Sequence, residues 1–212
     1  MKRVKVLNNY SGLGGNRKYW TNVDVVAVEY NEKIASVYQD LYPNDTVIIG
    51  DAHQYLLDNY QDFDFIWCSP PCQSHSRMIL SGQNRKKRRY PDMRLYEEIV
   101  YLSHFFKGKW IVENVKPYYN PLVKPSGALG RHLVWSNFEI SEFDVPSPKG
   151  FIMSNNTAGA QELKEWLGIY YEGNIYYEGN HSPCQVLRNC IHPDVGLHVF
   201  NEYLKCIQYQ LF

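Results

Sequence analysis

Cys72 follows Ser69-Pro70-Pro71 just after an apolar run, Phe63 to Trp67. Some forty residues later, Glu113-Asn114-Val115 follows a second run, Trp110-Ile111-Val112. Short apolar runs of this kind suit buried strands, so the spacing predicts a thiol and a carboxyl at neighbouring strand ends. A lone cysteine in an α/β protein is usually a small buried apolar residue. Here the proline pair holds the backbone out of helix, and the polar Gln73-Ser74-His75-Ser76 that follows is not core. Thiol plus carboxylic acid is what adding sulfur to a pyrimidine ring requires. C5 of cytosine is a poor nucleophile, but thiolate attack at C6 turns the ring into an enamine that can take a methyl group. The acid would hold the N3 edge and protonate it as sulfur adds. A free thiol has a pKa near about 8.5, so a polar or positive setting is expected around Cys72. Glu113 must keep or share its proton. Taken singly, Glu113 reads as a strand-end residue capping local amides; paired with Cys72, it reads as an acid.

The elements that would position this pair alternate in type. Val4 to Leu7, Val23 to Glu29, Thr46 to Ile49, Phe63 to Trp67, Lys109 to Val112 and His132 to Trp135 read as strands. Asn31 to Leu41 has helical spacing through Ile34, Val37, Tyr38 and Leu41, and Pro43 stops it. His53 to Asp58 and Gln161 to Leu167 are shorter helices, and a further helix is expected to start near Pro91 and run to Phe106. Val195 to Gln210 closes the chain as an apolar-faced helix. Strands alternating with helices imply an α/β fold: a mainly parallel sheet with helices on both faces and ligands at the carboxyl ends of the strands.

A chain of 212 residues suits one well-buried core with a modest appendage. With 44% hydrophobic and 21% charged residues it reads as soluble and globular. It has no membrane-length apolar run and no signal-peptide apolar region after Met1-Lys2-Arg3-Val4, so a cytoplasmic protein is expected. Five cysteines without a regular framework suit a reducing compartment, and no His/Cys set has zinc-ligand spacing, so no metal is expected. The formal net charge is zero, yet Arg85-Lys86-Lys87-Arg88-Arg89 is an unbroken basic run in the polar loop 74–90. Local charge of that density suits a phosphate backbone, with a solvated loop as the opposing reading.

Tyr10-Ser11-Gly12-Leu13-Gly14-Gly15 after the first strand lets backbone approach a cofactor closely. Glu29 and Asp51 end the next two strands, a series that suits a nucleoside cofactor: Glu29 for the ribose hydroxyls, Asp51 for the adenine amino group. The plainer alternative is that both carboxylates merely end strands in solvent.

In this order the motifs resemble those of the DNA (cytosine-5) methyltransferases over residues 4 to about 138. Tyr10 to Gly15 is similar to their first cofactor motif, usually written with Phe at the Tyr10 place. Glu29 with Tyr38 and Tyr42-Pro43 is similar to the second motif, and Gly50-Asp51 to the third. Phe63 to Gln73, with Ser76, resembles the catalytic motif, Asp92 to Glu97 the helix after it, and Glu113-Asn114-Val115 the acid motif. Cys68-Ser69 stands where a Gly-Gly pair is usual. Only Arg131 remains of a later motif with two arginines and a glutamine, and Arg188-Asn189-Cys190-Ile191-His192-Pro193 replaces the last motif.

The resemblance implies a Rossmann-like S-adenosylmethionine-dependent fold acting on a cytosine flipped out of double-stranded DNA. Cys72 would be the nucleophile and Glu113 the acid, with Arg131 contacting the ring or supporting Cys72. Tyr10, Ser11, Gly12, Gly14, Gly15, Glu29, Tyr30, Asp51, Ala52 and Pro70 would hold S-adenosylmethionine. Gln73, Ser76, Asn114 and the five basic residues Arg85, Lys86, Lys87, Arg88 and Arg89 would meet DNA. Residues 1–138 would form the catalytic and cofactor-binding core, 139–187 a reduced target-recognition region, and 188–212 a segment returning to the core. The middle region holds the tandem pair Ile169 to Asn174 and Ile175 to Asn180, read as a tyrosine-rich hairpin or extended loop. So small a region suits a short or relaxed target, as in a monomeric phage-type or orphan enzyme. Two other readings stay open: an exocyclic-amino methyltransferase, which shares Ser-Pro-Pro, and a nucleic-acid-binding protein decayed from an enzyme. RNA in place of DNA also stays open.

Overall fold

The apolar runs are continuous because both faces of the central strands are covered. On β4 (Phe65–Cys68), Phe65 and Trp67 pack into one cluster and Ile66 and Cys68 into another. On β5 (Lys109–Val115), Trp110 and Val112 join the second cluster and Ile111 the first. Successive strand side chains point to opposite faces, so an all-apolar strand needs a layer on each side.

The computed structural model describes residues 3–80, 89–151, 158–175 and 183–208. β1 (Val4–Asn9), β2 (Val23–Glu29), β3 (Thr46–Ile49), β4 and β5 pair in parallel. β6 (Gly127–Leu129) and β7 (His132–Ser136) complete the sheet antiparallel, giving the order β3-β2-β1-β4-β5-β7-β6. Connections leave the central pair β1 and β4 in opposite directions, which opens a crevice at their carboxyl ends.

α1 (Glu32–Leu41) is capped by the Asn31 side chain, and α2 (Ala52–Asn59) by that of Asp51. α2 and α3 (Arg94–Phe105) supply Leu56, Leu95, Ile99 and Leu102 to one face of the sheet. α6 (Pro193–Gln208) brings Val199, Phe200 and Tyr203 to the other, where Phe200 stacks on Trp20 and Tyr203 on Phe65. A third cluster joins α1 to α4 (Ala160–Leu167) and α5 (Pro183–Arg188) through Ile34, Val37, Leu163, Leu167 and Leu187. Residues 169–175 form no strand; Ile169 and Ile175 are buried and pin that stretch as a loop.

Several elements differ from the sequence expectations. β5 runs on to Val115 because β7 pairs beside it, so Glu113 lies within the strand instead of after it. The sixth expected strand is antiparallel, with β6 as an unforeseen partner. The α3 helix starts at Arg94 and not near Pro91: Asp92 donates its backbone N–H to Ser74 and accepts from that of Arg94, which ties the preceding residues to the loop after Cys72.

Candidate active site

The glycine turn after β1 gives each glycine different work. A side chain at Gly12 would meet nothing within 4 Å, so its backbone borders open space. One at Gly14 would collide with the Tyr38 and Tyr42 rings of the α1 region, and one at Gly15 would lie 2.3 Å from the Ile191 carbonyl. Gly14 and Gly15 therefore admit protein, whereas Gly12 faces the cavity. Glu29 at the end of β2 secures the turn: Oε2 accepts from the Gly12 N–H at 3.1 Å and Oε1 from the Asn31 N–H at 2.9 Å. Burial pushes the Glu29 carboxyl up, and these backbone donors oppose it.

From this turn a cavity of about 300 Å³ runs across the crevice to the ends of β4 and β5. Ser11, Gly12, Glu29 and Tyr30 line one end; Pro70, Cys72, Gln73, Glu113 and Arg131 line the other. The structure thus brings the glycine turn, the thiol and the carboxyl into one space. Val186, Asn189, Cys190 and Ile191 form a third wall, so the chain after α5 reaches the cavity although its sequence departs from the family motif. The close approach at Gly15 is what seats it there.

Cys72 stands at the head of a tight turn, its carbonyl accepting from the His75 and Ser76 N–H groups at 3.0 Å each. That turn is tied to the chain after β5 by the Tyr118 N–H on the His75 carbonyl and by His75 against the Tyr119 hydroxyl. Asn114 is buried; its amide donates to the Pro70 carbonyl at 2.8 Å and its oxygen accepts from the Val115 N–H. The acid strand thereby holds the proline pair of the thiol strand.

Other expected residues lie elsewhere. Asp51 caps α2 through its Oδ1, and its other oxygen lies 3.5 Å from Arg94. Neither Asp51 nor Ala52 lines the cavity. Tyr10 does line the cavity; it has a left-handed backbone (φ 58°), and its hydroxyl turns to the buried Glu98 of α3, which also bonds His53. The Ser76 hydroxyl accepts from the Met78 N–H within the turn. Arg85, Lys86, Lys87 and Arg88 lie outside the described residues, as do Tyr176, Tyr177 and Asn180 of the second repeat copy; Arg89 is exposed.

Burial raises the Glu113 carboxyl to about 7, against a hydrogen bond from Ser69 and the charge of Arg131. Burial also raises the Cys72 thiol; the Glu113 charge adds to this and Arg131 opposes it. The expected thiolate-favouring setting is therefore outweighed by burial. Arg131 donates to the Arg188 carbonyl and lies 4.7 Å from the Phe151 ring centroid, joining the cavity to the region after β7. Sequence reading passed over His132 and Ser69. His132 lies in the Arg131 motif and places Nε2 4.0 Å from Glu113 Oε2; Ser69 enters the sequence reading as part of Ser-Pro-Pro and as a departure from glycine, without a role of its own.

The family model for C-5 cytosine-specific DNA methylases matches residues 4–122. The chain belongs to that family. A curated relative, the Type II methyltransferase M1.HgaI of Avibacterium volantium, is 32% identical over 94 residues, which are 40% of this chain and 26% of the relative. The matched segment is thus about a quarter of that protein's length. Among solved structures, the methyltransferase EhMeth of Entamoeba histolytica covers 98% of this chain and 99% of its own, with a TM-score of 0.56 at 12% identity. That likeness is one of fold.

The methyl donor of the family is S-adenosylmethionine, and the residues present fit it. Gly12 leaves backbone open to a ligand, Glu29 offers partly buried carboxylate oxygens beside it, and the Ser11 hydroxyl is buried there without a partner. A buried polar atom with no partner is a reason to expect a ligand.

Proposed function

We propose that this protein methylates C5 of cytosine in DNA, with Cys72 as nucleophile and Glu113 as acid. One observation carries the reading: Cys72 and Glu113 line the same cavity as Gly12 and Glu29. Cys72, after losing its proton to solvent, bonds C6 of a cytosine extruded from the duplex. N3 takes the proton of Glu113 as the ring becomes an enamine. S-adenosylmethionine supplies the methyl group that C5 then takes. On elimination the C5 proton leaves to solvent, the electron pair of the S–C6 bond returns to sulfur, and N3 returns its proton to Glu113. Arg131 faces both groups and opposes the rise of the thiol.

A carboxyl near 7 is at the midpoint where it can give and take a proton at neutral pH. The basic run Arg85 to Arg89 would contact phosphates, and residues 139–187 would face the target site. Exocyclic-amino methylation has no use for a thiol and an acid facing one cavity, which favours C5.

The test is DNA carrying 5-fluorocytosine. The wild type is expected to form a covalent adduct in the presence of S-adenosylmethionine, and Cys72→Ser none. Digested product should contain 5-methylcytosine; N4-methylcytosine would establish the alternative chemistry. An intact protein that fails to bind S-adenosylmethionine would point to decay.

A further inference from the structure

The last ladder pair between β4 and β5 is Cys68 with Val112, so Ser69 and Glu113 emerge next to each other. Residue parity places them on one face. Phe65 and Trp67 of β4 and Ile111 of β5 belong to the cluster beneath α6, and Ser69 and Glu113 continue those two rows. The tie one residue further, from Asn114 to the Pro70 carbonyl, holds the register past the ladder's end. The Trp67 indole donates to the Ser69 oxygen at 2.9 Å. A hydroxyl that accepts there still has its own proton to donate; the Glu113 carboxyl is the group beside it across the strands, and its Oε2 is buried without a hydrogen-bond partner among the described residues.

We infer that Ser69 is a positioning residue for Glu113: oriented by Trp67, its hydroxyl steadies the carboxylate left when the acid has given up its proton. The inference rests on the proposed C5 chemistry. The Ser69 donation stabilises the ionised form through the lifetime of the adduct, and the carboxylate then recovers its proton from N3. A glycine at this place would provide no such donor. The other groups facing Glu113 are Cys72 from the loop after β4, Arg131 from the turn before β7, and His132 of β7.

The experiment titrates Glu113 by carbon NMR in the full chain labelled at the glutamate carboxyl, with the signal assigned by its loss in Glu113→Gln. Ser69→Ala and Ser69→Gly should raise the midpoint by about one pH unit, and Ser69→Thr, which keeps the hydroxyl, should hold it. Circular dichroism should be unchanged in whichever variant is used, the glycine serving if the alanine fails to fold. In pH profiles of 5-methylcytosine formation the alkaline limb should move up by the same amount, with KM for DNA and S-adenosylmethionine unchanged. An unmoved midpoint in alanine and glycine variants overturns the role of Ser69. A wild type that makes no 5-methylcytosine overturns the proposed function instead, and the titration, which needs no turnover, still reads Ser69 against Glu113.

Discussion

Glu113 and His132 stand 4.0 Å apart and yet are not an ion pair. Burial drives the carboxyl up to about 7, and burial with Arg131 and Lys116 drives the imidazole down to about 3, so His132 is uncharged at neutral pH. Burial of an ionisable group without full compensation works this way on acids and bases alike. The consequence for stability has a definite sign. The folded state holds the Glu113 proton more tightly than the unfolded chain, so stability is lost as pH rises from about 4.5 to about 7 and is level above that. Glu113→Gln should therefore be more stable than wild type above neutrality, by an upper bound on the order of 3 kcal/mol, with the charge-linked part of the difference gone below about pH 4.5. Urea unfolding across that range measures it; equal pH dependence in the two proteins would remove the buried acid from the account. Protonating Glu113 also removes the charge that raises Cys72, so the thiolate forms more easily when the acid is loaded.

Strand pairing decides where these side chains sit. β7 extends β5 to Val115, and the β4–β5 register sets Ser69 beside Glu113. At the other end of the cavity, the turn after β1 separates two functions that a glycine motif blurs. Gly15 receives the Ile191 carbonyl, so Gly15→Ala should push residues 190–191 away, lower the melting temperature and weaken S-adenosylmethionine binding together. Gly12→Ala meets no protein atom, but its φ of 53° is strained for alanine, at a cost of about 1 kcal/mol, and its methyl faces the cavity. It should weaken S-adenosylmethionine binding with a smaller thermal shift. Calorimetry on both variants separates the two roles, and a Gly15→Ala protein with normal melting and binding would contradict the close approach.

For the molecule as a whole, a net charge of zero leaves the proposed DNA binding to local charge. Replacing Lys86, Lys87 and Arg88 by Gln should weaken DNA binding and flatten the plot of log affinity against log salt by about 0.9 for each phosphate that is no longer neutralised. An unchanged slope in fluorescence anisotropy would assign the basic run to solvent. Arg131 spans the same scale: it joins the cavity to Phe151 within the small region after β7 and to the Arg188 carbonyl just beyond that region. No helix among the described residues is long and apolar enough to cross a membrane.

Much of the fold was readable along the chain. Continuous apolar runs announce strands covered on both faces, and Asn31 announces the start of a helix, because strand period and capping are local properties. The order of motifs from Tyr10 to Val115 was equally readable, and the structure does bring Gly12, Glu29, Cys72 and Glu113 into one cavity. Pairings between distant segments were not: the antiparallel β7, the Ser69–Glu113 adjacency, the placing of Asp51 as a helix cap, and the return of Ile191 to Gly15. A residue's own type constrains its backbone and its preference for water, whereas register and close approach depend on which remote surface packs against it. The sequence therefore specified a thiol, an acid and a glycine turn, and only tertiary packing decided which neighbours tune them.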